Sequence, residues 1–169
     1  MTILLDDDER PNITIPQITT CHDQLGCNLP KEYKEFLMNH NGAFPEPSSF
    51  RIKNDDLLHS IDIMLYLDSN LFEPRADAFY QTISFTLEKE KDYIPAGSFV
   101  IAIVDRDDLL LLFYEGKRKG EIWLKIETYE SPMKGENGYK REQGLCKVAS
   151  SFTGFIEKLI PNEEDLDDD

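Results

Sequence analysis

The chain has 169 residues, room for one domain that buries about 70% of the surface its unfolded form would expose, so folding needs neither disulfide nor metal staples. Its 33 acidic and 18 basic residues give a net charge of −15, a field that repels phosphate backbones and weighs against direct nucleic-acid binding. No apolar run approaches the ~20 residues of a membrane span, and three cysteines behind an N-terminus unlike a secretory leader read as free thiols of a reducing cytoplasm.

The charge is uneven. Asn162 to Asp169 carries six acids and no base, and DDDER near the N-terminus adds a net −3, which leaves about −6 on the body between them. Residues 1–14 read as a flexible acidic arm, 15–161 as one domain and 162–169 as an acidic tail. The first helix is expected from Ile15 to Leu25. Thr14 caps it, Pro16 suits its first turn, Ile18, Cys21, His22 and Leu25 share one face, and Gly26 stops it. Pro30 then starts a second helix whose buried face is Tyr33, Phe36, Leu37 and His40, with Lys31, Glu32, Lys34 and Glu35 in water. Asn41 and Gly42 tolerate positive φ and end it, and FPEP turns the chain.

SFRI is followed by a strand from His59 to Asp68, in which Ile61, Ile63, Leu65 and Leu67 alternate with Ser60, Asp62, Met64 and Tyr66. From Arg75 to Lys91 the period becomes helical, through Ala76, Phe79, Tyr80, Ile83 and Leu87. Pro95 and Gly97 break the chain before SFVIAIVD, LLLLFYEG and EIWLKIE, three strands of a meander, apolar on both faces at its centre. Residues 128–147 are rich in Gly, Lys and Glu and form either a hairpin or an insertion. Ser150 or Ser151 caps a last helix, with Phe152, Phe155, Ile156 and Leu159 inward and Pro161 as its stop. The order gives an α+β fold, an antiparallel or mixed β-sheet packed with about four α-helices in a single domain.

No catalytic set is visible. His22, His40 and His59 are the only histidines, none at i, i+4 from another, and no Ser or Cys stands in a nucleophile elbow. His22 and His40 fall on buried helix faces, where a packed imidazole is commoner than a base. Cys21, His22 and Cys27 match no zinc spacing. DRDD, Asp105 to Asp108, offers three acids at a strand turn. Acids are common in turns because they accept backbone hydrogen bonds, and the spacing is not that of a calcium loop, so turn chemistry is favoured over a metal or an acid–base pair. KGENGYKREQG is not a phosphate loop, and KRKG reads as a solvated turn. Trp123 and Tyr114, on adjacent strands, are more often sheet packing than a ligand platform. Neither cofactor nor metal is expected.

Together, LGCNLPKEYKEFLMNHNGAF, YIPAGSFVIAIVD, GEIWLKI and SFTGFIEKLI resemble, in order, motifs of the SUKH superfamily. The matching positions are Leu25, Gly26, Leu29, Pro30, Tyr33, Leu37, Asn41 and Gly42, then Asp105, then Gly120, Ile122 and Trp123, and finally the Ser-Phe-x-x-Phe helix. The likeness spans roughly residues 15–160. Two positions depart from the pattern: Ala43 stands where the family has a second Gly, and Arg106, Asp107 and Asp108 follow the Asp where glycines are usual.

The resemblance implies a non-enzymatic binding protein. Bacterial members are commonly immunity proteins that neutralise a cognate toxin domain, often a nuclease, and eukaryotic relatives are regulatory scaffolds. The expected partner is therefore a basic toxin domain, occluded one to one by a negative surface that complements its groove. The acids expected to meet it are Glu46, Asp68, Asp105, Asp107 and Asp108, with Tyr66 and Trp123 as apolar anchors if they are exposed. The chain is expected to be a cytoplasmic monomer or weak dimer. A regulatory module without a toxin partner is the second reading, and a hydrolase using Asp107 or Asp108 is the third.

Overall fold

The computed structural model describes residues 4–5, 13–26, 28–42, 44–53, 55–67, 82–126 and 141–161. Local punctuation sets the first two helices. Helix α1 runs Ile15–Leu25. Both the backbone N–H and the hydroxyl of Thr14 donate to Gln17 Oε1, at 2.9 and 2.7 Å, so the third helical side chain reaches back to the cap. Gly26 follows at φ +66°. Helix α2 spans Lys31–His40 behind Pro30, which sits at φ −57° and ψ 148°. Tyr33, Phe36 and Leu37 are its buried face.

The N-terminal arm is not wholly apart from the body. Its Leu4–Leu5 (β1) pairs antiparallel with Pro45–Glu46 (β2), inside the FPEP segment read from sequence as a turn. Six further strands form one antiparallel sheet in chain order: β3 (Ser49–Arg51), β4 (Leu58–Met64), β5 (Ser98–Val104), β6 (Asp108–Phe113), β7 (Ile122–Lys125) and β8 (Leu145–Ala149). The sheet curls toward a barrel. Ser49 and Ile160 exchange backbone hydrogen bonds of 3.1 and 2.8 Å, which ties the segment after the last helix onto the β3 edge.

Helix α3 (Ile83–Glu90) packs on β5, and helix α4 (Phe152–Ile156) follows β8. The α4 N-terminus is capped twice. Ser151 Oγ accepts from Gly154 N–H at 3.0 Å, and Glu32 of α2 accepts from Thr153 N–H at 3.1 Å. Aromatic rings join these helices to the sheet. Phe152 meets Tyr33 and Phe36 edge-on, each at 5.0 Å, Tyr33 touches Phe99 of β5, and Phe155 meets Phe50 of β3. Rings in these tilted arrangements add roughly 0.5–1.5 kcal/mol per pair beyond their buried area.

Three expectations are corrected. The alternation from His59 to Asp68 fails after Asp62, because Met64 and Tyr66 are buried along with Ile63 and Leu65. A register shift between Ile61 and Ile63 coincides with the change. The helical stripe expected from Arg75 to Lys91 is interrupted at Thr82. That residue is extended (φ −95°, ψ 143°), bridges in parallel to Tyr66, and accepts from Phe85 N–H as the α3 N-cap; residues 75–81 lie outside the described set. In the third case, the segment 128–147 ends in the start of β8, a sixth strand that the composition concealed.

Candidate functional site

The β5–β6 turn carries Asp105, Arg106, Asp107 and Asp108. Val104 pairs with Asp108, and Asp105, Arg106 and Asp107 close the loop. Asp105 (φ +48°) and Arg106 (φ +77°) both lie in left-handed space, where the Cβ of an L-residue crowds the backbone. Strand β4 pins them. Asp105 N–H donates to Ser60 C=O at 3.0 Å, Ser60 N–H donates to Asp105 Oδ1 at 2.9 Å, and Arg106 N–H donates to the Asp62 carboxylate at 2.5 Å. The turn acids thus do what turn acids ordinarily do, but against a neighbouring strand.

The second Asp105 oxygen, Oδ2, lies 2.7 Å from His59 Nδ1. The His59 side chain is only 5% exposed and stacks on Phe50 at 5.5 Å. Its Nε2 makes no hydrogen bond. Asp55 Oδ2 lies 3.5 Å from it, while Asp55 Oδ1 accepts from Leu57 N–H. A nitrogen of His59 and one carboxylate oxygen each from Asp105 and half-buried Asp108 lie within 4.8 Å of one another. Half-buried Cys146 of β8 lies within electrostatic reach of this region. Burial pushes its thiol above the ordinary range, and the negative charges of Asp55 and Asp108 push it further. Among the described residues no hydroxyl or thiol hydrogen-bonds His59 Nε2. A nitrogen flanked by carboxylates is suited to a cation or a buried proton.

The other candidates scatter. Asp107 is exposed at the turn, and Glu46 is exposed on β2. Tyr66 is only 3% exposed, which takes its ring off the surface, and its backbone bridges to Thr82 at the start of α3. Asp68 lies outside the described residues. Trp123, half-buried on β7, is occupied within the chain. Its Nε1–H donates to Glu121 Oε2 at 2.9 Å, the Arg118 guanidinium lies 4.6 Å over its ring, and Phe113 meets it edge-on. Lys147 donates to the other Glu121 oxygen and, as the leading cause, holds the Glu121 carboxyl below its usual range; the Trp123 N–H and the charges of Lys147 and Arg118 act in the same direction against burial. Arg118 therefore leaves the solvated KRKG turn and folds back on the sheet.

Sequence reasoning missed His59, Asp55 and Asp62 as neighbours of the acidic turn. His59 and Asp105 are 46 residues apart, and only β4–β5 pairing joins them. One signal was available. An antiparallel pair with Ile61 opposite Val104 places Ser60 beside Asp105, and His59 is the next residue.

No described helix is long and apolar enough to cross a membrane. No curated protein matches the chain. A family model described as the SMI1 / KNR4 family (SUKH-1) matches residues 12–158, which takes in every element from α1 to α4. With that match over most of its length, the chain belongs to the SMI1/KNR4 family (SUKH-1).

Proposed function

We propose that this protein is a non-catalytic immunity protein that neutralises a basic toxin domain by stoichiometric occlusion. Membership of the SUKH-1 family is the observation that carries the reading, since that family implies protein–protein interaction. The net charge of −15 supports it. A nuclease holds a polyanion in a basic groove, and an acidic face complements that groove, speeds encounter and fixes orientation. Asp107 and Glu46, both exposed, are the contacts of the described set that remain available for this role. Asp105 acts one step back, because its two oxygens hold His59 and Ser60 and thereby shape the turn that presents Asp107.

The deciding experiment searches the genes beside its own for a basic toxin domain and titrates this protein against that domain. Full loss of toxin activity near one equivalent is expected, with association slowed at least several-fold by the pair Asp107→Lys and Glu46→Lys and less so at high salt. Toxin activity unchanged at molar excess sinks the proposal.

A further inference from the structure

We propose that the end of the sheet formed by His59, Asp105 and Asp108 binds a single divalent transition-metal ion of the zinc class, which clasps β4 to the β5–β6 turn. The first observation is the mixed donor set. One imidazole nitrogen and two carboxylate oxygens lie within 4.8 Å of one another and come from two separate parts of the chain. Imidazole with carboxylates suits zinc and its neighbours, whereas calcium and magnesium prefer oxygen alone.

The second observation concerns the other nitrogen of the same imidazole. His59, nine-tenths and more buried, has an Nε2 that makes no hydrogen bond. If neutral His59 donates from Nδ1 to Asp105, then Nε2 presents a lone pair toward the Asp55 carboxylate at 3.5 Å, an unfavourable meeting in a buried place. An ion on Nδ1 reverses the arrangement. The Nδ1 proton is given up, the ring carries its proton on Nε2, and that N–H faces Asp55 Oδ2. Asp105 and Asp108 then supply oxygens to the ion, and Asp55 becomes the outer carboxylate that orients the ring. Starting from neutral His59 the change releases no net proton; starting from imidazolium it releases one. The ion also offsets three carboxylates, Asp55, Asp105 and Asp108, that converge on one imidazole.

No zinc template is visible in the sequence here because two donors sit at a hairpin and the third lies 46 residues before Asp105. The claim is separate from toxin binding and is tested on the full chain alone. After chelator treatment, Zn2+ titrated by calorimetry should bind at one ion per chain. Co2+ should give weak visible bands without a thiolate charge-transfer band, and the His59 ring resonances should shift on Zn2+ addition. Asp108→Asn, which keeps side-chain shape, should weaken Zn2+ at least tenfold while leaving the circular-dichroism spectrum intact, and Cys146→Ser should leave affinity unchanged. No saturable binding, full affinity in Asp108→Asn, or an intense thiolate band lost in Cys146→Ser would each overturn the assignment. A failed toxin assay leaves this result untouched, and the reverse holds as well.

Discussion

Asn41 and Leu67 exchange two hydrogen bonds that copy one rung of an antiparallel ladder: Leu67 N–H donates to Asn41 Oδ1 at 2.8 Å, and Asn41 Nδ2 donates to Leu67 C=O at 2.9 Å. The side chain is buried, and its backbone is not left-handed (φ −58°); Gly42 takes the positive φ at +76°. The Asn-Gly pair at the end of α2 thus divides two tasks. Gly42 turns the chain, and Asn41 supplies Leu67, beyond the end of β4, with both a donor and an acceptor.

Asn41→Asp should therefore be more damaging than its similar size suggests. The acceptor for Leu67 N–H survives, but a buried carboxylate then faces Leu67 C=O with no donor between them. A loss of about 3 kcal/mol is expected, with Asn41→Ala comparable because it strands both backbone groups. Urea unfolding checks this. A loss below about 1 kcal/mol would mean that the clamp is dispensable.

This pair also shows where the sequence was legible. The boundaries of α1 and α2 could be read because Thr14, Gly26, Pro30 and Gly42 act on their own backbone. The meander of β5 to β7 could be read because continuous apolar runs between turn signals leave few alternatives. What escaped was set by distant partners. Thr82 starts α3 because Tyr66 bridges to it, and Asn41 is fixed by Leu67. The site divides the same way. Asp105, Asp107 and Asp108 announce a turn locally, while His59 and Asp55 join only through strand register. Tyr66 looked like a surface anchor because alternation put it opposite Leu65 and Leu67, yet both sides of that segment are covered.

Arg106 occupies a glycine-like position, φ +77°, where SUKH sequences usually place glycines. Arg106→Gly keeps the N–H that donates to Asp62 and relieves the left-handed cost of about 1–2 kcal/mol. Greater freedom of the unfolded chain returns part of that. A net gain of about 0.5–1 kcal/mol is expected in urea unfolding, and a destabilised variant would show that the arginine side chain is needed by the turn.

Gly144 is the opposite case. It sits at φ +70°, and a Cβ there would lie 2.4 Å from the Ile126 carbonyl oxygen, a backbone atom that cannot swing aside. Ile126 N–H donates to Gly144 C=O at 2.9 Å, so the same residue begins the β7–β8 ladder. Buried Lys125 donates to the neighbouring Gln143 C=O at 2.8 Å and would be disturbed with it. Gly144→Ala should cost about 3 kcal/mol from the backbone penalty and the clash together. Faster hydrogen exchange at Ile126 than at the β5–β6 amides would locate the damage, and an unchanged urea midpoint would refute it.

Glu121 links three side chains on the outer sheet, and its pH dependence has a defined sign. Lys147 is the main cause of the lowered carboxyl pKa, with Trp123 N–H and Arg118 assisting. A carboxyl depressed in the folded state binds its proton more readily when unfolded. Its stabilising effect is therefore complete above the unfolded value, near 4.5, and disappears as pH falls through the folded value. The group is partly exposed, with a side-chain accessibility of 22%, so screening keeps the contribution at or below about 1 kcal/mol. Glu121→Gln retains an acceptor for Trp123 but loses the charge. The stability difference between the two proteins should be constant from pH 7 down to about 5 and then narrow in more acidic solution. Salt should shrink the plateau, because the Lys147 partner is 42% exposed. A difference that widens below pH 4.5 would reverse the sign and show that Glu121 is held mainly by burial instead of by Lys147.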